Sequence, residues 1–85
     1  MQSFEYVIKD PIGLHARPAG LLAKEAKKYQ SKITLSCNGK TAEAARLMGI
    51  MGLGVKNGQT VAITIEGPDE ETTAAAIKEF FETNL

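Results

Sequence analysis

The chain has few of the residues that mark secreted or metal-binding proteins. Its 85 residues include one cysteine, Cys37, one histidine, His15, and no tryptophan. A single cysteine excludes an intrachain disulfide, and one histidine with one cysteine cannot complete a closed zinc site. We therefore expect a cytoplasmic protein that needs no metal and no cofactor.

An excess of charge of one sign and long apolar stretches are also missing. Ten lysines and arginines balance ten aspartates and glutamates, whereas proteins that bind nucleic acid are usually basic. No apolar run approaches the roughly 18–20 residues that cross a membrane, and the N-terminus has no secretory signal pattern. We expect no nucleic acid partner and no direct membrane insertion. A chain of this length favours one small domain over residues 1–85.

The strand patterns are short and regular. Alternating apolar residues predict strands over 3–8, 32–37 and 60–66. The dipeptide Asn38-Gly39 is typical of a tight hairpin turn, so a short strand over 40–43 is expected to pair back. The four strands are expected to form one antiparallel sheet.

Three segments have helical spacing of their apolar residues. The first begins near Pro18 and has Tyr29 at its end. The second covers 46–53, and the third follows the acidic residues from Asp69 onward. Gly54 is expected to end the second helix. The order β-α-β-β-α-β-α predicts an α+β fold with helices covering one face of the sheet.

The chemistry concentrates around His15. A lone histidine is more often a packing or surface residue than a nucleophile. Here it lies between Gly13 and Pro18, a proline suited to the first turn of a helix. Helix N-termini bind anions through free N–H groups and the helix dipole. Ala16 is a weak N-cap, so we expect no side-chain oxygen to occupy those groups.

Arg17 strengthens this interpretation. A cation in the first helical turn opposes the dipole by roughly 0.3–1 kcal/mol, and such local conflicts are typical of functional residues. The alternative is a solvated surface charge. A guanidinium beside an anion site suits phosphate, and a neutral imidazole can attack phosphorus. The sequence has no second histidine, Ser-His-Asp set or acidic cluster beside His15, so we do not expect a self-sufficient enzyme.

The stretch from Gly13 to Ala19, GLHARPA, resembles the active-site motif of the HPr family, the histidine-containing phosphocarriers of the sugar phosphotransferase system. The similarity extends through 38–40 and 47–55 and covers essentially the whole chain. It implies an open-faced β-sandwich, with strand order 1-4-2-3 and three helices on one face of the sheet. It also implies that enzyme I, charged from phosphoenolpyruvate, phosphorylates His15 on Nδ1. Arg17 would orient the phosphoryl group, which sugar-specific IIA domains would then receive.

The second motif, 47–55, is not a nucleotide-binding loop, because Val55 stands where the Walker pattern requires lysine after Gly54. We expect Ile50 and Leu53 to be core residues. Methionine is adaptable and common on surfaces that meet several partners. The lysines of the first helix alone would indicate a solvated face. The resemblance implies a partner-binding surface formed by Ala16, Gly20, Lys24, Lys27, Leu47, Met48 and Met51.

One position departs from the family. Many Gram-positive relatives carry a regulatory serine, phosphorylated by HPr kinase, where this chain has Arg46. We therefore expect no regulatory phosphorylation at this position. The alternative function is a regulatory module of the same fold that docks on transcription factors or metabolic enzymes, the role that the resemblance implies for members without the histidine. The presence of His15 and Arg17 favours the carrier, which we expect to be a monomer.

Overall fold

The computed structural model describes all residues from 1 to 85 and contains one four-stranded sheet with three helices. The strands are β1 (Gln2–Val7), β2 (Lys32–Cys37), β3 (Lys40–Glu43) and β4 (Thr60–Glu66). The helices are α1 (Ala16–Ala26), α2 (Leu47–Gly52) and α3 (Glu70–Asn84). All neighbouring strands are antiparallel, in the order β1-β4-β2-β3. The predicted α+β architecture and strand order are confirmed.

The alternation in the strands separates a buried face of the sheet from an open one. On the buried face Ile63 of β4 lies opposite Phe4 of β1 and Leu35 of β2. On the other face the residues are mostly small and polar, such as Ser3 and Thr64, and no helix covers them. The predicted hairpin is confirmed, because Asn38 and Gly39 have φ values of 56° and 75°.

The helices close the core over the buried face. Phe81 of α3 is fully buried, and its ring makes edge-to-face contacts with Tyr6 at 5.5 Å and Phe4 at 6.3 Å between centroids. Ile50 and Leu53 are buried, as predicted. No helix combines the length and the apolarity that a membrane-spanning segment requires.

The predicted limits of α1 were wrong at both ends. The helix begins at Ala16, two residues before Pro18, because the fixed φ of proline fits any position in the first turn. It ends at Ala26, so Tyr29 is not helical. Tyr29 is half-buried near the helix end, where its hydroxyl donates to Glu25 Oε2 at 2.9 Å.

Candidate functional site

His15 is the N-cap residue of α1. Its backbone is extended, with φ −89° and ψ −175°, and its carbonyl accepts the hydrogen bond from the Ala19 N–H at 3.0 Å. The expectation that Ala16 would be the N-cap was therefore wrong, because Ala16 and Arg17 are already the first two helical residues. The substance of the expectation holds, since no side chain caps this helix end.

The N-terminus of α1 has unused hydrogen-bond donors. The backbone N–H groups of Ala16 and Arg17 have no acceptor within the protein, and Pro18 has no N–H group. The first turn contains no acidic residue, and the exposed Arg17 side chain forms no ion pair. This end of α1 therefore combines the positive end of the helix dipole, two free donors and a free guanidinium.

The loop before His15 is fixed to the segment that follows α2. Gly13 has a φ of +87°, and a Cβ atom at this position would lie 2.5 Å from the Val55 carbonyl oxygen. The next residue, Leu14, is buried and donates its N–H to that same oxygen at 3.1 Å. Only glycine allows both the backbone conformation and this close approach.

Asp10 is a site residue that the sequence analysis missed. Its Oδ1 lies 3.9 Å from Nε2 of His15 and also accepts a hydrogen bond from the Ile12 N–H at 2.9 Å. The sequence analysis expected no acidic cluster beside His15, and it did not consider this single aspartate. A signal was available, because an aspartate before Pro11 and Gly13 is typical of a turn that folds its side chain back.

The end of α3 lies against the same loop. The main-chain oxygen of Leu85 accepts hydrogen bonds from the N–H groups of Lys9 at 2.6 Å and Asp10 at 2.8 Å. Next to this contact lies an open depression of about 300 Å³. It is lined by Asp10, His15, Arg17, Pro18, Leu21 and Asn84.

The depression can hold a small anion but does not enclose a substrate. The His15 side chain is 35% exposed, which leaves its ring accessible from outside. A histidine can act as a nucleophile, and helix N–H groups with a guanidinium can hold phosphate oxygens. The arrangement can therefore receive a phosphoryl group from another molecule that approaches the surface.

The residues predicted to bind partners are distributed over two neighbouring helices. Ala16, Lys24 and Lys27 of the α1 segment are exposed, and Gly20 is half-buried. On α2, Met48 is 80% exposed, and the exposed fractions of Leu47 and Met51 are 40% and 39%. The two helices pack against each other. These exposed apolar side chains of α2 lack cover from the rest of the chain.

Arg46 is the N-cap residue of α2 and makes no side-chain cap. Its Nε atom lies 3.3 Å from Glu43 Oε2. The guanidinium pairs with Glu43 of β3. Because an arginine side chain has no oxygen, the N-terminus of α2 has no side-chain cap.

The fold and site define an open-faced sandwich with an accessible histidine at an uncapped helix N-terminus. The family model described as the PTS HPr component phosphorylation site matches residues 2–83. The phosphocarrier protein HPr of Mycoplasma genitalium is 41% identical over 85 residues, which cover 99% of this chain and 97% of the relative. The chain belongs to the HPr family, the phosphocarriers of the phosphotransferase system.

Solved structures agree with this assignment. HPr from Thermoanaerobacter tengcongensis is 40% identical with a TM-score of 0.91, and the match covers 98% of this chain and 93% of that one. Crh, a Bacillus subtilis catabolite repression protein whose crystal structure is a swapped dimer, is 29% identical with a TM-score of 0.77. That match covers 100% of this chain and 98% of the Crh chain.

Proposed function

We propose that this phosphocarrier accepts a phosphoryl group on Nδ1 of His15 from enzyme I, itself charged from phosphoenolpyruvate. The group then passes to the IIA domains of sugar permeases, and the relay runs in the cytoplasm. The observation that carries the proposal is the accessible imidazole of His15 at an uncapped helix end, beside the free N–H groups of Ala16 and Arg17. Family membership supports the same role.

The transfer requires few groups. The lone pair of Nδ1 attacks phosphorus, the N–P bond forms, and the bond between phosphorus and the donor's leaving group breaks. The bound phosphoryl group carries about −1.5 to −2 charges. The two free N–H groups and the guanidinium of Arg17 are suited to hold its oxygens. Onward transfer reverses these steps on a second partner.

The shape of the site favours a carrier over an enzyme that acts alone. The depression of about 300 Å³ is open, and its apolar lining is limited to Pro18 and Leu21. Ligand pockets bury most of a small substrate between apolar walls. A donor or acceptor protein must therefore supply the rest of the reaction site.

The proposed docking surface comprises the exposed apolar side chains of α2 and the neighbouring part of α1. Ala16, Gly20, Lys24 and Lys27 border it on α1, with Leu47, Met48 and Met51 on α2. Flexible methionine side chains suit a surface that meets differently shaped partners in turn. The chain would dock as a monomer and lack a regulatory phosphosite at Arg46.

The second candidate is a regulatory module that docks on transcription factors or metabolic enzymes. The similarity to Crh favours it, since that protein is described by its role in catabolite repression. Docking alone does not require the imidazole and guanidinium of the α1 end. A test of phosphoryl transfer therefore separates the two candidates.

The experiment mixes the protein with enzyme I and radiolabelled phosphoenolpyruvate. We expect acid-labile, base-stable label on the wild type and none on His15→Ala. The control is Cys37→Ser, which removes the thiol, a second nucleophilic side chain that is buried. This variant should retain the label. Absence of label on the wild type, or label on His15→Ala, would contradict the proposal.

The docking surface is tested with a charge on Met48. Met48→Lys should weaken binding of enzyme I in titration calorimetry by about tenfold, because it puts a charge into an apolar contact worth roughly 1.4 kcal/mol. Val7→Lys is the matched control, because Val7 is a 48% exposed apolar residue on the open face of the sheet. Equal effects of both variants would argue against a surface on α2.

A further inference from the structure

We infer that Asp10 is a positioning residue that holds the His15 imidazole in its Nε2–H tautomer and so leaves Nδ1 free as the nucleophile. The inference rests on the proposed phosphoryl transfer to His15 and assigns the group that selects the reacting nitrogen.

The geometry places a carboxylate on one side of the ring. Asp10 Oδ1 lies 3.9 Å from His15 Nε2, beyond direct hydrogen-bond distance but within reach of a single bridging water or a small ring rotation. The Asp10 side chain is 24% exposed and forms no ion pair with any other residue.

Asp10 is held in place both at its carboxylate and at its backbone. Its Oδ1 accepts the Ile12 N–H at 2.9 Å, and the Asp10 N–H donates to the Leu85 main-chain oxygen at 2.8 Å. An oxygen of an ionised carboxylate has acceptor capacity for two donors, so the Ile12 contact leaves room for an imidazole N–H. The backbone of the loop therefore fixes the position from which Asp10 acts on His15.

An ionised carboxylate only accepts hydrogen bonds. The ring nitrogen that faces it is therefore favoured to carry the hydrogen, which selects the tautomer. With hydrogen on Nε2, the lone pair lies on Nδ1. This nitrogen is bonded to Cγ and so lies closer than Nε2 to the backbone of His15 itself, the N-cap residue of α1.

The same carboxylate matches the charge change during transfer. When Nδ1 attacks phosphorus, the donor's leaving group departs with its electron pair and the ring becomes positive, with its hydrogen still on Nε2. The negative charge of Asp10 offsets that positive charge. When the N–P bond breaks, the electron pair returns to Nδ1 and the ring is neutral again. No proton has to leave or enter the ring in either direction.

Attack through Nε2 would be opposed by the same group. A phosphoryl group on Nε2 would place about −1.5 to −2 charges against the Asp10 carboxylate, and like charges at short distance repel. Asp10 thus favours the use of Nδ1 and disfavours the use of Nε2.

Asp10 also stabilises the turn by its hydrogen bond with the Ile12 N–H. The test must therefore distinguish the effect of its charge from the effect of this hydrogen bond. Asp10→Asn keeps an Oδ1 acceptor for the Ile12 N–H and removes the negative charge. Glu5→Gln is the matched control, because it removes a carboxylate from the open face of the sheet. The amide resonances of Ile12 and Gly13 report whether the turn is retained.

The measurement is the tautomer ratio of His15 by long-range ¹H–¹⁵N NMR on the unphosphorylated protein, at a pH where the ring is neutral. We expect Nε2–H to predominate in the wild type and its ratio to Nδ1–H to fall roughly two- to fivefold in Asp10→Asn, as for loss of an exposed charge contact. Glu5→Gln should leave the ratio unchanged. An unchanged ratio in Asp10→Asn, with the turn intact, would overturn the inference.

A second measurement distinguishes this inference from the proposed function. The initial rate of labelling from enzyme I should also fall in Asp10→Asn, through the smaller fraction of reactive tautomer and the lost offset of the ring's positive charge, with no change in Glu5→Gln. If the wild type takes no label, the proposed function fails while the tautomer ratio still decides the role of Asp10. If labelling proceeds and the tautomer ratio does not depend on Asp10, only the inference fails.

Discussion

The N-termini of α1 and α3 are built alike in backbone and differently in charge. Each follows a glycine placed two residues before the N-cap, Gly13 before His15 and Gly67 before Asp69. Both glycines have positive φ, and both pack where a Cβ atom would meet backbone. The α3 end has Asp69 with two glutamates in its first turn, whereas the α1 end has no acidic residue in its first turn.

The α3 end carries negative charge of its own, although no side chain caps the helix. The Asp69 carboxylate accepts hydrogen bonds from the Ser31 hydroxyl and from the Gln30 N–H, which joins the α1–β2 connection to α3. These bonds, that from Ser31 first, lower the pKa of Asp69 below its ordinary value. One helix end thus uses its dipole for stability, and the other leaves it available to an anion from outside.

The largest effects are expected from the two glycines. Gly13→Ala and Gly67→Ala should each lower the free energy of unfolding by about 2–5 kcal/mol, the sum of left-handed backbone strain and a forced contact. The Cβ atom would lie 2.5 Å from the Val55 oxygen in one variant and 2.6 Å from Ser31 Cα in the other. Urea denaturation measures both.

The two glycine variants should differ in function. Gly13→Ala should also slow phosphorylation under folding conditions, because it displaces the loop before His15, whereas Gly67→Ala should not. Gly54→Ala is the control for strain alone, because its φ is +64° and the space around it is open. Similar losses of unfolding free energy in all three variants would show that the forced contacts at Gly13 and Gly67 contribute little to the destabilisation.

A smaller effect is expected from the charge at the α3 end. A group whose pKa is lowered by folding stabilises above its unfolded pKa, and this contribution is lost as the pH falls through the folded pKa. Asp69→Asn should therefore have a lower urea midpoint than the wild type at pH 7, and the two midpoints should converge in acid below about pH 4. Glu82→Gln, an exposed change near the other end of α3, should show no such convergence.

The smallest effect, and the one of opposite sign, is expected at the α1 end. Arg17→Gln removes a cation from the first turn, so it should raise the free energy of unfolding by about 0.3–1 kcal/mol while it slows phosphorylation. Lys24→Gln removes a cation from the last turn and should lower stability by a similar amount. If Arg17→Gln had a lower free energy of unfolding than the wild type, the idea that Arg17 destabilises the α1 end in favour of function would be wrong.

The elements that the sequence predicted well are those specified by local chemistry. The hairpin follows from Asn38-Gly39, and the buried positions of Ile50 and Leu53 follow from their spacing on a helix. The order of the strands came from the resemblance, because pairing between distant segments leaves little trace in local pattern. The position of His15 at a helix end followed from its neighbours, although the helix starts earlier than the proline suggested.

Asp10 was missed for a physical reason. The sequence around Asp10 indicates a turn, but it does not specify that this turn, closed by Gly13, brings the Asp10 carboxylate close to the His15 ring. The C-terminal limit of α1 was placed too late because Tyr29 keeps an apolar contact after the backbone has left the helix.

The hydrogen bond from the Leu14 N–H to the Val55 oxygen has a consequence for the speed of the relay. It joins the loop before His15 to the segment just after α2, so the backbone ties the position of the His15 ring to that of the apolar α2 surface. Under the proposed function, a partner that docks on α2 would find the ring already in position, without a folding or closure step. Encounters of pre-organised surfaces are limited mainly by diffusion and orientation. We therefore expect association rates with successive partners to respond to solvent viscosity rather than to a slow conformational step.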